Sequence, residues 1–398
     1  MALPRTMRAV VCHGKEDYRV QEVPVPEPGA GEVLLRVEAV GICASDAKCF
    51  AGAPLFWGDA QREAYCQAPV IAGHEFVGEV VALGAGGGDG WGAAGEAAGS
   101  GAGGGDGPVA PVTGAVAGAA VYAGGPVGSA GLRVGDRVVS EQIVPCGACR
   151  YCLRGQYWMC MRHDIYGFRR RTPGAMAEYV RLPRGARNYV LPPGMSLEAG
   201  ALVEPLGCSI HAVDRAGIRM GDVVVVAGCG PLGLGMVAAA RLRGPGLLVA
   251  VDAREGRLAV ARDCGADLTL DLSRVDAVAE VLALTEGYGC DVYIEASGAP
   301  AAVEQGLRMV RKLGTFVEFS VMREPCTVDW TIIGDTKELD VRGSHLSPYT
   351  YPVAIDMLRR GQVPVARIVT HTLPLEAFDQ GMDLVLKGDR SIKVQLRP

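Results

Sequence analysis

Cys43, His74 and Glu75 offer a thiolate, an imidazole and a carboxylate. These are the soft, borderline and hard donors that Zn²⁺ accepts, and three protein ligands leave one position open for catalysis. Each residue also has a plainer reading: Cys43 as a small buried hydrophobe, His74 as a hydrogen-bonded turn residue, Glu75 as a solvated charge. A second constellation is more specific. Cys146, Cys149, Cys152 and Cys160 give C-x2-C-x2-C-x7-C on a turn-rich stretch. Four thiolates so placed can close a tetrahedron around Zn²⁺ with no open position, which makes a structural site. Iron–sulfur ligation and free or disulfide-bonded cysteine are the alternatives. Glu204 lies in the apolar run Ala201 to Ala212 and needs a partner there, because burying an unpaired carboxylate is costly; a metal or its bound water would supply one. His211, in the same run, reads as a satisfied core histidine.

A third pattern could bind a dinucleotide. The apolar run Asp222 to Ala227 reads as a strand buried on both faces. It leads into Gly228-Cys229-Gly230-Pro231-Leu232-Gly233, a G-x-G-x-x-G, and then a helix over Leu234 to Leu242. Gly228 permits the tight turn, Gly230 lets the backbone approach a pyrophosphate, and Gly233 lets helix pack on strand. The helix start presents free N–H groups to the anion. A second strand, Leu247 to Val251, ends in Asp252, whose carboxylate can accept hydrogen bonds from a ribose hydroxyl and would repel a 2′-phosphate. NAD is therefore expected, with Arg254 and Arg257 as the argument for NADP.

These groups need elements to hold them. Short strands are expected over Met7 to Cys12, Tyr18 to Val23 and Glu32 to Val40, so Cys43 would sit at a strand's C-terminal end. A helix should start at Ser196. Beyond Asp252 strands and helices alternate: Arg257 to Gly265 helical, Leu268 to Leu270 extended, Val275 to Thr285 helical, Asp291 to Ala296 extended, Ala301 to Leu313 helical, Thr315 to Ser320 extended. Such a sheet binds its ligand beyond the C-terminal strand ends, so Ser297, Phe319 and Ser320 should edge the cofactor cleft. A helix over Tyr351 to Arg360 and a strand over Ile392 to Leu396 complete the pattern. The stretch 84–130 is dominated by Gly and Ala, cannot bury enough surface to offset its ordering entropy, and reads as a mobile surface insertion.

The 398 residues suit two domains, and a net charge of -5 argues against general nucleic-acid binding. No stretch reads as a signal peptide or a spanning helix, so a cytoplasmic protein with reduced thiols among its 13 Cys is expected.

Taken in order, Gly41-Ile42-Cys43-x-Ser45-Asp46, Gly73-His74-Glu75-Phe76-x-Gly78, the four-Cys lobe, Glu204-Pro205-Leu206 and the glycine fingerprint resemble the zinc-dependent medium-chain dehydrogenases, and among them the polyol branch. The likeness to bacterial erythritol/L-threitol dehydrogenases is carried by Phe56 to Asp59, His163 to Phe168 and Thr315 to Ser320. The resemblance implies an α/β fold: a GroES-like β-barrel catalytic domain over 1–195 with the zinc lobe at 145–161, a doubly wound Rossmann domain over 196–345, and a return to the first domain over 346–398. It implies a catalytic zinc on Cys43, His74 and Glu75, with Glu204 contacting the zinc water or joining the metal. It also implies a structural zinc on the four cysteines, NAD on Gly228, Gly230, Pro231, Leu232, Gly233, Asp252 and Arg257, and Ser45 as the start of a proton relay. Many relatives carry a relay His where this chain has Lys48, so either Lys48 or water continues the path. Phe56 and Trp57 would wall the pocket, and Asp46, Lys48 or Glu204 would bond substrate hydroxyls. The expected reaction is oxidation of a short polyol such as erythritol or L-threitol to the ketose, by a homodimer or homotetramer. The alternatives are a threonine or sorbitol/L-iditol dehydrogenase, or a nucleotide-binding sensor without chemistry.

Overall fold

The computed structural model describes residues 3–85, 125–322 and 324–398. Most of the Gly/Ala-rich insertion expected at 84–130 therefore lies outside the described residues.

Two sheet systems flank one buried helix. In the first, strands run in the order Asn188–Val190, Arg137–Ser140, Glu75–Leu83, Val33–Ile42, Lys393–Arg397 and Val369–Pro374, with Tyr179–Leu182 also paired to Val33–Ile42. Thr6–Gly14 joins Asp17–Pro24 and Val70–Ile71 in a smaller sheet beside it. The second system is a six-stranded parallel sheet in the order Leu268–Asp271, Leu247–Asp252, Val223–Ala227, Cys290–Glu295, Val310–Glu318, Asp340–Gly343. The order reverses beside Val223–Ala227, which is the switch point where doubly wound sheets bind nucleotides. Residues 310–313, expected to finish a helix, open a strand instead. The helix Pro300–Met309 stops there, and Leu313 at φ +59 turns the chain into the sheet.

The helix Leu197–Ala216 is buried around its whole circumference from Ala199 to Ile210, as a helix enclosed by other elements must be. Ser196 caps its start, accepting from the Ala199 N–H at 3.2 Å, and Gly217 ends it at φ +65. Leu202, Leu206 and Ile210 share one core with Val77 and Val139 of the first sheet and Val224 and Val226 of the second. Each such side chain withdrawn from water contributes about 2 kcal/mol, so this helix welds the two systems together. It also carries Glu204.

Candidate active site and metal centres

Cys43 follows the strand Val33–Ile42 and forms the N-cap of the short helix Ala44–Phe50. Its backbone N–H donates to Asp46 Oδ2 at 2.9 Å, a reciprocal cap that fixes where the thiol points. His74 precedes the strand Glu75–Leu83 rather than lying within it, because Gly73 at φ +95 breaks the extended run. Adjacent residues within a strand point to opposite faces, and this break lets His74 and Glu75 face one point. One ligand atom from each of Cys43, His74 and Glu75 lies within 4.8 Å of the others.

The surroundings suit a cation. His74 Nδ1 faces Asp46 Oδ1 at 3.5 Å and Nε2 faces Ser45 Oγ at 3.4 Å. A carboxylate behind Nδ1 leaves Nε2 as the electron-donating nitrogen, as zinc-binding histidines require. Glu75 is 1% exposed and its Oε2 contacts the Lys393 ammonium, itself 2% exposed. Lys393 also donates to the Ile42 carbonyl at 3.1 Å. Burial works against the lysine charge, but Glu75 and Cys43 outweigh it and hold its pKa above the ordinary value. Burial, and next the charge of Glu75, pushes Glu204 up to about 7. Glu204 thus stands beside the cluster but outside the three-atom set. The partner it needs is Cys208, whose thiol donates to Oε1 at 3.6 Å.

Cys146, Cys149, Cys152 and Cys160 bring their sulfurs within 4.8 Å of one another, and none forms a disulfide. The Cys149–Cys152 and Cys146–Cys152 separations of 3.5 and 3.9 Å match the edges of a zinc–thiolate tetrahedron, about 3.8 Å for ~2.3 Å bonds. The Ala148 and Cys149 N–H groups donate to Cys146 Sγ at 3.5 and 3.3 Å, favouring its thiolate. Backbone donation from Cys152 and Met161 brings Cys149 down to about 6. Both donor sets fit zinc.

At the glycine turn, a Cβ on Gly228 would lie 2.8 Å from Ala296 backbone, and one on Gly233 would overlap the Gly228 carbonyl. Gly230 instead faces open space bounded by Arg257 Nη1, room for a pyrophosphate at the start of the helix Pro231–Arg241. Pro231 takes the first helical position and the Leu232 carbonyl accepts from Ser209 Oγ at 2.8 Å. Asp252 accepts from the Cys229 N–H at 2.7 Å and the Arg254 N–H at 3.0 Å. Arg254 and Arg257 both donate to the Gly388 carbonyl, Arg257 at 2.9 Å. Glu295 Oε1 accepts from Ser297 N at 2.8 Å and Gly298 N at 2.9 Å, shaping that loop. Ser320 borders Gly298, while Phe319 packs into the core beside it.

The remaining residues singled out in the sequence make contacts of their own. Lys48 reaches across the cleft to donate to the Val321 carbonyl beside Gly298, so it ties the cofactor side of the cleft to the Ser45 helix. Asp46 is buried at 1%, spent on the Cys43 cap and on His74, and cannot bond a substrate hydroxyl. Phe56 stacks at 5.0 Å on Phe168, whose ring lies 5.5 Å from that of His74; Trp57 donates to the Cys49 carbonyl at 2.6 Å. His211 packs edge-on against Trp158. Lys393, Cys208 and Gln142 were invisible as site residues. The Cys43-x-x-Asp46 spacing, a capping pattern, was the one available signal for Asp46.

Comparisons with known proteins agree with this geometry. A model described as zinc-binding dehydrogenase matches residues 231–360, and one for the alcohol dehydrogenase GroES-like domain matches 29–96 and 96–193. The chain is 49% identical to an erythritol/L-threitol dehydrogenase of Mycolicibacterium smegmatis, covering 100% of this chain and 99% of that protein. It is 32% identical to a sorbitol dehydrogenase of Halalkalibacterium halodurans over 98% and 99%. A solved structure described as a zinc-binding dehydrogenase of Sinorhizobium meliloti 1021 bound to NADP superposes with a TM-score of 0.78 at 28% identity, covering 99% of each chain.

Proposed function

The chain belongs to the zinc-binding alcohol dehydrogenases with a GroES-like domain, and from that premise we propose that it oxidises a short polyol, a tetritol such as erythritol or L-threitol, to the ketose with NAD⁺. The observation that carries this reading is the meeting of Cys43, His74 and Glu75 at one point, beside the helix Ala44–Phe50 whose Lys48 donates to the Val321 carbonyl. The 49% identity along the full chain supports the substrate class.

Cys43, His74 and Glu75 would hold the catalytic zinc, and Cys146, Cys149, Cys152 and Cys160 the structural one. Bound zinc supplies Lewis acidity, which makes a hydroxyl easier to deprotonate, and bound NAD⁺ supplies the hydride acceptor. Ser45 Oγ, beside His74, would accept the hydroxyl proton as its own proton passes to water. Glu204, held by the Cys208 thiol beside the cluster, orients a neighbouring hydroxyl. Asp252 receives the adenosine ribose, and its charge favours NAD⁺ over NADP⁺. Lys48 and the Glu295-braced turn at Ser297 keep the nicotinamide end of the cleft against the Ser45 helix. Alignment and exclusion of water are the fold's share of the catalysis.

The test is NADH formation by zinc-loaded protein on erythritol, L-threitol, sorbitol and L-threonine. The tetritols should exceed the others in kcat/KM by about tenfold or more, the discrimination that roughly 1.4 kcal/mol provides. Absence of turnover on every C4 to C6 polyol overturns the assignment. A homodimer or homotetramer is the proposed assembly, and a monomer in sedimentation would refute that part.

A further inference from the structure

Behind Glu204 runs a file of buried polar groups that the reaction scheme does not use. Ser347 Oγ donates to Gln142 Oε1 at 2.8 Å, Gln142 Nε2 donates to Cys208 Sγ at 3.2 Å, and Cys208 Sγ donates to Glu204 Oε1 at 3.6 Å. Ser347, Gln142 and Cys208 are 1%, 1% and 6% exposed. All three donors point the same way, so each bond polarises the next and the file ends on a carboxylate.

The three residues come from separate places. Gln142 lies between the strands Arg137–Ser140 and Ile143–Val144, and Cys208 is on the central helix Leu197–Ala216 one turn after Glu204. Ser347 follows the parallel-sheet strand Asp340–Gly343. Close packing holds the file in place: a Cβ on Gly207 would lie 3.0 Å from Ser347 Cβ and 3.0 Å from Thr350 Oγ1, and Thr350 Oγ1 donates to the Gly207 carbonyl at 2.9 Å. An apolar side chain at 208 would fill the same space but leave Glu204 Oε1 and Gln142 Nε2 without each other's intermediary. Buried polar groups are tolerated when hydrogen-bonded, and each bond of this file leads toward Glu204.

We infer that Ser347, Gln142 and Cys208 are positioning residues that hold the Glu204 carboxyl in its working orientation and register it to the segment leaving the nucleotide-binding sheet. The inference rests on the proposed role of Glu204 in polyol oxidation.

The experiment compares zinc-loaded wild type with Cys208→Ala, Cys208→Ser, Ser347→Ala and the Cys208→Ala/Ser347→Ala double variant, measuring kcat, KM for NAD⁺ and zinc per chain. Loss of one hydrogen bond to a charged group corresponds to about tenfold. Cys208→Ala should lower kcat by about that factor with KM for NAD⁺ and zinc content unchanged, and Cys208→Ser, which keeps a donor, should recover most of it. Ser347→Ala should lower kcat alone yet add nothing to Cys208→Ala, because its influence passes through the thiol. Wild-type kcat retained within twofold in Cys208→Ala, an equal loss in Cys208→Ser, or full additivity in the double variant would each overturn the inference. Failure of the wild type itself on polyols would instead remove the functional reading, so the two failures are told apart in one assay.

Discussion

At the scale of single residues, the metal-competent cluster depends on a side chain that is missing. Gly41 pairs with Glu75 across the sheet, and the space its Cβ would take is occupied by Glu75 Oε2, with Lys393 Cε 2.8 Å and Nζ 3.2 Å from that point. A methyl group there cannot be absorbed by rotating a flexible tip, because both tips are buried and bound to each other. Gly41→Ala should therefore turn Glu75 away from Cys43 and His74. The expected result is a fall in zinc at the catalytic site from one ion toward none and a loss of kcat/KM of about a hundredfold. The stability cost should stay within the roughly 1–3 kcal/mol of an overpacked core site. Gly343→Ala, where a Cβ meets open space, is the control that should leave both unchanged. Full zinc occupancy and activity in Gly41→Ala would show that Glu75 is dispensable to the cluster.

At the scale of elements, what could be read in advance depended on whether a local pattern carried the information. The glycine turn and its flanking strands, the cysteine lobe and the strand before Cys43 declare themselves in periodicity and spacing, and they stand where expected. The strand Lys393–Arg397 shows the opposite case. Its alternation suggests that Lys393 and Gln395 face water, yet they are 2% and 0% exposed. One is buried against Glu75, and the other donates to the Glu198 carbonyl at 3.0 Å, because the central helix covers the face that alternation assigns to solvent. No window of sequence contains that helix and that strand together. The histidine pair is similar: His163 Nε2 and His345 Nε2 meet at 2.8 Å, joining the loop after the cysteine lobe to the segment after the parallel sheet. One of the two must be neutral to accept. Burial, then His163 and His211, brings His345 down to about 4, while burial and Arg169 lower His163 against the opposing pull of Asp164. A folded-state pKa below the unfolded value near 6.5 means that the unfolded chain binds the proton first. Stability from this pair is therefore complete above about pH 6.5 and is lost as the pH falls toward 4. Relative to His345→Phe, the wild type should lose about 2 kcal/mol more between pH 7.5 and pH 5. Parallel urea midpoints for the two proteins across that range would sink the claim.

At the scale of the whole molecule, the proposed catalytic cluster is assembled from parts of the chain that meet only after folding, and its charge is balanced across them. Cys43 and His74 come from the first sheet system, Glu204 from the helix that welds both systems, and the compensating Lys393 from the strand laid between Val33–Ile42 and Val369–Pro374. Without a metal, Lys393 is the buried cation facing Glu75, and Cys43 and Glu204 also favour its charge. Lys393→Met keeps most of the volume and removes the charge, so it leaves a buried carboxylate unpaired, which typically costs about 3–5 kcal/mol. The metal-free variant should accordingly melt well below metal-free wild type. A divalent cation can replace the missing charge, so zinc should restore more stability to Lys393→Met than to wild type, where the lysine already offsets part of the acidity. Activity should not return in full with stability, because zinc then holds Glu75 without the lysine that fixes its Oε2. Thermal melts of both proteins with chelator and with zinc, read beside kcat, decide it. An equal gain from zinc in the two proteins would mean that Lys393 holds the strand in place and has no part in balancing the cluster.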